Sequence, residues 1–296
     1  MDIETLKKAI RFAMIENLNI QYVLPSYPLP KEHNDLIDGI DGSRIANYDK
    51  ETKAEVYVVN NPYDLPTAES SNSSFVIRVT KESFKETYKD ILNFATTVEK
   101  VNVVFTDVET FDSNALIQYS AILEHIADNM RGCTPQINIL TDRILLDEMN
   151  NCNAGWESIA VCPDGKFYVC PAFYYDTDGY SIGDLDCGLH VPNAQLYRLD
   201  HAPLCRECDA YHCKRCIWLN RKLTHEVGIP SKQQCEMAHV ERNASRRLLL
   251  SIKNTNEFLD KKDIPQIDYL DPFDVKQKQH KFMKKRKYYP KSMVIY

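Results

Sequence analysis

Apolar residues in the first 150 positions switch between a helical spacing and short extended runs. Leu6, Ile10 and Ala13 recur every three or four residues, which predicts an amphipathic helix at the N-terminus. The same spacing of apolar residues predicts helices at 81–97, 113–130 and 142–149. Thr80 and Ser83 can begin the first turn of the helix at 81–97. Extended runs predict strands at 20–24, 55–59, 75–79, 101–105 and 137–140.

Strands that alternate with helices predict βαβ units and therefore a parallel sheet in an α/β fold. About five strands are too few to close a barrel of eight, so we expect a truncated, partial β/α barrel over residues 1–150. A Pro-rich turn is predicted after the first strand, and the polar stretch 68–74 is predicted to be a linker. The sequence has neither a G-x-G-x-x-G pattern nor a P-loop.

The pattern becomes irregular after residue 150. Two extended runs, 158–161 and 166–169, flank the turn signal Pro163-Asp164-Gly165, which predicts a β-hairpin. A helix is predicted at 216–227, and a longer one at 232–254 with Ser231 as its N-cap. We therefore expect a loop-rich second region that ends in a C-terminal helix.

Composition and charge narrow the class of protein. The 296 residues are 44% hydrophobic and 26% charged, an ordinary globular balance, and the net charge of −6 argues against nucleic acid as a partner. No apolar run approaches the length of about 18 residues that a membrane span needs, and the acidic N-terminus does not resemble a signal peptide. We expect a cytoplasmic protein without membrane contact, in which cysteines stay reduced and bind metal rather than form disulfides.

The C-terminal tail, 259–296, is predicted to be basic. Its stretch 276–291 contains eight lysine and arginine residues and no acid. One interpretation is a solvated tail. The other is a contact for an acidic partner such as a peptide or RNA, which the aromatic residues Phe282, Tyr288 and Tyr289 favour.

Cysteines dominate the middle of the chain. Nine of the ten lie between Cys152 and Cys235, and four form the run Cys-x2-Cys-x4-Cys-x2-Cys, which consists of Cys205, Cys208, Cys213 and Cys216. Thiolates two residues apart bind one corner of a tetrahedral metal site without backbone strain. The run suits Zn²⁺ and an iron–sulfur cluster equally well, so the spacing alone leaves the metal open.

The wider pattern resembles the SPASM domain, the C-terminal extension of many radical SAM peptide-modifying enzymes. Cys152 precedes a Gly-x4-Cys unit formed by Gly165 and Cys170, the four-cysteine run follows, and Cys235 closes the pattern. The match covers about 85 residues and seven cysteines, together with the phrases SIAVCPDGKFYVCP and SIGDL. Two spacings in the run are one residue shorter than in the family, a difference that a flexible loop absorbs. The resemblance implies a SPASM-like iron–sulfur domain over 151–258.

The resemblance also implies two [4Fe–4S] clusters and their ligands. The second cluster takes Cys205, Cys208, Cys213 and Cys235, and the first takes Cys152, Cys170 and Cys216. The fourth ligand of the first cluster is either Cys187 or Cys162, or its iron is open to a substrate group. Cys162 serves equally well as a small residue of the hairpin, and Cys133 is expected to be a buried small hydrophobe. Zn²⁺ is the alternative metal for these thiols.

A radical SAM enzyme needs a Cys-x3-Cys-x2-Cys motif, and this sequence has no cysteine before Cys133. No SAM site is therefore assigned, and the chain is not expected to generate a radical by itself. The combination is similar to the CXXX repeat peptide maturases. That likeness implies a role in the maturation of a ribosomally made, Cys-rich precursor peptide, with a radical SAM protein as a further partner; whether this chain is itself an enzyme stays open.

The alternative function is a zinc-stabilised binding module that contacts RNA or protein through its basic tail. Other chemistry in the sequence is weaker. His212 lies inside the cysteine run, where it can replace a ligand, but a hydrogen bond to solvent or to the metal centre is the favoured role. Four histidines have no metal-ligand spacing: His190, His201, His225 and His239. Three carboxylates follow a predicted strand, where they form either a site or the polar start of the next helix: Asp107, Glu109 and Asp112.

Overall fold

The computed structural model describes residues 1–49, 51–67, 71–130, 135–149, 152–177, 179–253 and 257–275. Its strands are β1 (Gln21–Val23), β2 (Ser43–Asn47), β3 (Val56–Val59), β4 (Ser71–Val79), β5 (Val98–Phe105), β6 (Ala160–Val161), β7 (Phe167–Tyr168), β8 (Gly183–Asp184) and β9 (Gly188–Leu189). Its helices are α1 (Ile3–Ile15), α2 (Lys31–Asp38), α3 (Lys81–Ala95), α4 (Ser113–Asn129), α5 (Asp142–Leu145), α6 (Pro171–Tyr175), α7 (Ile217–Thr224), α8 (Lys232–Ile252) and α9 (Glu257–Asp260). Short 3₁₀ turns lie at Pro62–Asp64, Val108–Thr110, Ala194–Tyr197 and Leu199–His201.

Strands β1 to β5 form one sheet in which each strand lies beside its neighbour in the sequence, and every pair is parallel. The longest pairing joins β4 to β5, from Ser71 opposite Val98 to Val79 opposite Phe105. A single parallel bridge from Val101 to Ile137 continues the sheet beyond β5. The predicted α/β class with a parallel sheet is therefore confirmed.

Four local predictions differ from the structure. The segment predicted as a turn after β1 contains α2 and β2. The short sequence of β2 mixes polar and apolar residues and does not predict a strand, but β2 pairs with β1 on one side and with β3 on the other. The predicted linker 68–74 is wrong from Ser71 onward, since these serines pair with β5 and β3 through their backbone. The predicted strand 137–140 is reduced to one bridge, because the Ile137 amide donates to the Thr141 hydroxyl (2.9 Å) and closes a turn. The helix predicted at 142–149 ends at Leu145.

The core of the α/β region combines the sheet with α3, α4 and α8. Ile77 of β4, Ile91 of α3, Leu123 of α4 and Leu248 of α8 are completely enclosed in it. Burial of each such side chain stabilises the fold by about 1.5–3 kcal/mol. Helix α8 therefore joins the sheet to the cysteine-rich part of the chain, because its first turn carries Cys235.

Two long helices begin as their sequences predict. Thr80 and Ser83 form a reciprocal capping box at the start of α3, and Ser231 forms another with Gln234 at the start of α8. At α7 the end differs, because His225 adopts a left-handed conformation (φ 62°) and stops the helix before the predicted end at 227.

The cysteine-rich region has little regular structure. The predicted hairpin is present as β6 and β7, and Gly165 adopts the positive φ of 75° that its turn requires. Strands β8 and β9 form a second, equally short hairpin. A small core around Phe167 and Phe173 fills this region, and Phe12 of α1 packs on Phe167 with ring centres 4.7 Å apart.

Candidate metal centre

Nine cysteines lie in the described part of the chain. None of these nine is joined to another as a disulfide. Cys133 lies outside the described residues. That the cysteines are reduced stays a prediction, and the structure shows which of the thiols lie near one another.

One set, which we name the four-thiol group, consists of Cys205, Cys208, Cys213 and Cys235. The pKa of Cys213 is raised to about 12, chiefly by burial and in addition by the nearby thiols of Cys205 and Cys208. Burial also raises the pKa of Cys235, with added effects of Cys213, Cys205 and Cys208. Because repulsion between thiolates falls with distance, these mutual effects mean that the four sulfur atoms share one neighbourhood.

Tight turns bring the run into this neighbourhood. The Cys208 amide donates to the Cys205 carbonyl (3.0 Å), and the Cys213 amide donates to the Ala210 carbonyl (2.9 Å). The Ala210 amide also donates to the Cys208 sulfur (3.5 Å), a contact that favours the thiolate. Cys235 reaches the same place from the first turn of α8.

A second set, the three-thiol group, consists of Cys152, Cys170 and Cys216. Burial raises the pKa of Cys170 to about 11, and the thiols of Cys216 and Cys152 add to that rise. The Cys152 amide donates to the Lys214 carbonyl (3.3 Å), which holds this exposed cysteine beside the end of the four-cysteine run.

Helix starts favour negative charge at the three-thiol group. Cys170 is the N-cap of α6, and Cys216 is the N-cap of α7. Burial raises the pKa of the Cys216 thiol, whereas the amides of Leu219 and Trp218 oppose that rise. Backbone amides at such positions stabilise thiolates, which are the form that binds metal.

The two candidates for a fourth thiol have different surroundings. Burial raises the pKa of Cys162 to about 12, with further contributions from Asp164 and Cys170, so Cys162 is near the three-thiol group. Cys162 is also part of the small apolar core of this region. Cys187 is exposed in the turn between β8 and β9, where its amide donates to Asp184 (2.6 Å). Its role as a ligand stays a prediction.

His239 belongs to this site, although the sequence analysis set it aside as a histidine without metal-ligand spacing. Its Nε2 lies 3.6 Å from the Cys208 sulfur, and its Nδ1 donates to the Leu270 carbonyl. Burial lowers the pKa of His239. A neutral ring that donates through Nδ1 presents the lone pair of Nε2 to the thiols, as metal-binding histidines do. Its position four residues after Cys235, on the same face of α8, was the available signal.

A buried ion-pair network fixes the cysteine run to α8. Arg242, which is 0% exposed, donates to both carboxylate oxygens of Asp209 at 2.6 Å, and Arg143 adds a longer contact of 3.3 Å. Burial opposes ionisation of Asp209, but the two arginines outweigh it and lower the pKa of this carboxyl. Asp209 lies between Cys208 and Ala210, so the network sets the position of the run.

A second buried network reaches the four-thiol group from the α/β region. The Tyr119 hydroxyl of α4 donates to Glu241 Oε1 (2.7 Å), and His212 Nε2 lies 3.0 Å from Glu241 Oε2 without the alignment of a hydrogen bond. Burial and the Glu241 charge raise the pKa of Tyr119 far above its ordinary value. His212 is thus held beside Cys213 by its carboxylate neighbour.

Two of the candidate carboxylates, Asp107 and Asp112, form hydrogen bonds at the starts of helices. Asp107 accepts from the Lys81 amide at the start of α3 (3.2 Å), and Asp112 accepts from the Ala115 amide as the N-cap of α4 (2.8 Å). Asp112 therefore caps the helix that follows it, as one interpretation of the sequence had it, whereas Asp107 contacts the start of the preceding helix α3 instead.

The donor set fits a thiophilic metal. Seven thiols in two groups, with amide donors beside several of them and an imidazole beside one, match the ligands that Zn²⁺ and iron–sulfur clusters prefer. Over the described residues, no three Cys, His, Asp or Glu side chains stand in an arrangement that would already hold a metal ion. Within each group the thiols are therefore near one another, but their sulfur atoms do not yet surround a common metal position.

Among the helices that the structure describes, none is both long and apolar enough to span a bilayer. The sequence matches no protein-family model and no curated protein.

Proposed function

We propose that this chain is an iron–sulfur protein that helps to mature a ribosomally made, cysteine-rich peptide. It would bind the precursor peptide, relay electrons or take part in the modification, together with a separate radical SAM protein. The observation that carries the proposal is the division of seven thiols into a group of four and a group of three. These are the two sets that the resemblance to SPASM domains implies.

Each thiol group would bind one cluster. Cys205, Cys208, Cys213 and Cys235 would hold one [4Fe–4S] cluster with a complete thiolate set, and the three-thiol group would hold the other. Such clusters accept single electrons, and an iron that lacks a protein ligand also binds a substrate group. In this proposal Cys162 or Cys187 either completes the second set or leaves that position to the peptide.

The strand order supports a barrel-like interpretation of residues 1–150. Parallel strands that follow one another in sequence order are typical of β/α barrels, whereas doubly wound sheets reverse their order at a switch point. We therefore propose that the five-stranded sheet is a section of such a barrel. The free thiols suit the cytoplasm, where the reducing poise would keep them available for metal.

The metal content of paired variants tests the cofactor assignment. C205S/C208S is expected to lose the iron and sulfide of one cluster, and C170S/C216S those of the other. C133S is the matched control, because Cys133 lies outside both sets in the sequence. C162S and C187S then identify the fourth ligand. Equal iron and sulfide in the wild type and both paired variants would contradict the assignment.

Co-expression tests the role in maturation. The chain would be produced with a radical SAM enzyme and a cysteine-rich peptide from its own gene neighbourhood, and the mass of the peptide would be measured. C205S/C208S is expected to abolish the mass change, while C133S retains it. An unchanged product from C205S/C208S would contradict the proposal.

Zinc is the main alternative outcome. A colourless protein with zinc and no sulfide would favour a zinc-stabilised module whose basic stretch 276–291, which lies outside the described residues, contacts RNA or protein. Removal of 276–296 would then weaken RNA binding, and the loss would depend strongly on salt. Absence of RNA binding at low salt would exclude the RNA version of this alternative.

A further inference from the structure

Arg215 lies between the two thiol groups. In the sequence it separates Cys213 of the four-thiol group from Cys216 of the three-thiol group. Cys152 is held at the same point, because its amide donates to the carbonyl of Lys214, the residue before Arg215. The arginine is 2% exposed. Its positive charge is thus buried on the segment that joins the two groups.

The partners of this guanidinium carry no full charge. Its two terminal nitrogens donate to the backbone carbonyls of Tyr197 (2.5 Å) and Arg198 (3.5 Å). Its Nε–H is buried without a hydrogen-bond partner in the described part of the chain. No carboxylate among the described residues forms an ion pair with it. Arg242, the other fully buried arginine near the thiols, has the carboxylate of Asp209 instead.

An arginine side chain stays protonated in proteins, and a buried charge is costly unless an opposite charge compensates it. Burial lowers the pKa of Arg215, and the sulfur atoms of Cys205, Cys152 and Cys213 oppose that effect. Two of these thiols belong to the four-thiol group and one to the three-thiol group, so both groups lie within electrostatic reach of the guanidinium. Thiols that bind metal do so as thiolates, and the negative charge that compensates Arg215 would then come from both groups.

The backbone gives a second indication that the side chain matters. Arg215 has a φ of 43°, a left-handed conformation that is uncommon for a long side chain and persists where the surroundings fix it. Glycine would adopt this conformation at lower cost. The position nevertheless carries a cation, held by two carbonyls at the boundary of the groups.

We propose that Arg215 is the shared counter-ion of the two thiol groups, and that its charge favours the reduced state of the metal centre at each of them. The inference rests on the proposed function, since it requires clusters at both groups. Reduction adds negative charge to a thiolate-bound cluster, so a nearby fixed cation raises its reduction potential. Arg215 acts on the centres as a positioning residue and is not itself a ligand.

The test is a potentiometric titration of the anaerobically purified full chain, followed by electron paramagnetic resonance. The single-centre variants C170S/C216S and C205S/C208S assign the two signals. R215M is expected to shift both midpoint potentials to more negative values, and R215K to restore both toward the wild type because it keeps the charge. R143M is the matched control, because Arg143 is a buried arginine whose charge acts on Cys208 of the four-thiol group. It should change the potential of that centre alone.

The outcomes separate the two proposals. Wild-type protein without iron and sulfide would refute the proposed function. Clusters with unchanged potentials in R215M, or a change at one centre only, would overturn the role of Arg215. If R215M does not retain its clusters, R215K decides: retained clusters with potentials near the wild type support the shared counter-ion, and loss of both clusters in R215K as well overturns it.

Discussion

The α/β region and the cysteine-rich region bury different kinds of side chain. The first encloses large apolar residues such as Ile77 and Leu123 between a five-stranded sheet and its helices. The second has strands of two residues and buries the charged or titratable side chains of Arg215 and His212, and α8 adds Arg242 and His239. Apolar burial dominates the first interior, whose buried Asp142 has the charge of Lys100 as its partner (2.6 Å). Arg215 has no such carboxylate among the described residues, and in the proposed function the metal–thiolate centres would supply the opposite charge.

Metal removal is expected to have the largest effect and to separate the regions. Chelation under reducing conditions should accelerate amide hydrogen exchange in the cysteine-rich region, near Cys152, Cys170 and Cys205, and leave β4 and β5 protected. The reason is that binding energy at structural metal sites is folding energy. Exchange measured by mass spectrometry with and without chelator tests this, and equal protection of the cysteine-rich region in both states would contradict it.

Asp209→Asn should destabilise the protein by about 3–5 kcal/mol, because it leaves the fully buried Arg242 without its carboxylate. Denaturant unfolding measures the change. The matched control is Asp128→Asn, which removes a bidentate partner from the exposed Arg247 and should change the stability far less, because water screens an exposed ion pair. Similar losses in the two variants would show that the buried network contributes no more than a surface ion pair.

Leu123→Ala should cost about 2–5 kcal/mol, because it opens a cavity in a completely enclosed part of the α/β core. The loss should be the same in metal-loaded and chelated protein, since the side chain packs in the core of the sheet and α4 rather than among the thiols. If the loss of stability in Leu123→Ala depended strongly on metal, the α/β core would not be independent of the thiol groups, which would contradict the comparison.

Acid should weaken the cysteine-rich region through Asp209. Burial opposes its ionisation, but Arg242 and Arg143 lower the pKa of its carboxyl below the ordinary value. A lowered pKa gives stability that is fully present above the unfolded-state value of about 3.9 and is lost as pH falls through the folded-state value. Stability measured below about pH 4 should therefore fall less steeply in Asp209→Asn than in the wild type. Parallel pH curves would contradict this assignment.

The smallest predicted losses of stability follow the removal of a helix cap, and they should be equal in the two regions. Thr80→Ala and Ser231→Ala each remove the side chain of a capping box, and each should cost about 1 kcal/mol. Capping is local to the first turn, so the result should not depend on whether the helix leads into the sheet or carries Cys235. A much larger loss for Ser231→Ala would show that the cap also positions the four-thiol group.

The sequence predicted the elements that have strong local signals. Thr80 and Ser231 marked helix starts, and Pro163-Asp164-Gly165 marked the hairpin, because capping and turn chemistry act over a few residues. It missed β2 and the first residues of β4, whose polar sequences form strands only because partners on both sides supply hydrogen bonds.

The candidate site, too, was predicted only in part. The two thiol groups were expected from a resemblance and not from spacing, because the spacing of the cysteines does not say which sulfur atoms meet. Arg215 could not be predicted for a different reason, because its significance depends on burial and on a contact with Tyr197, which is distant in the sequence. His239 left a signal in its spacing of four residues from Cys235, but its contact with Leu270 is visible only in the fold.

The most direct test of the central claim is the iron, acid-labile sulfide and zinc content of the full chain after purification without oxygen. The account predicts a brown protein whose iron and sulfide are equal and correspond to two [4Fe–4S] clusters per chain. A colourless protein without sulfide, whether it holds zinc or no metal, would contradict it.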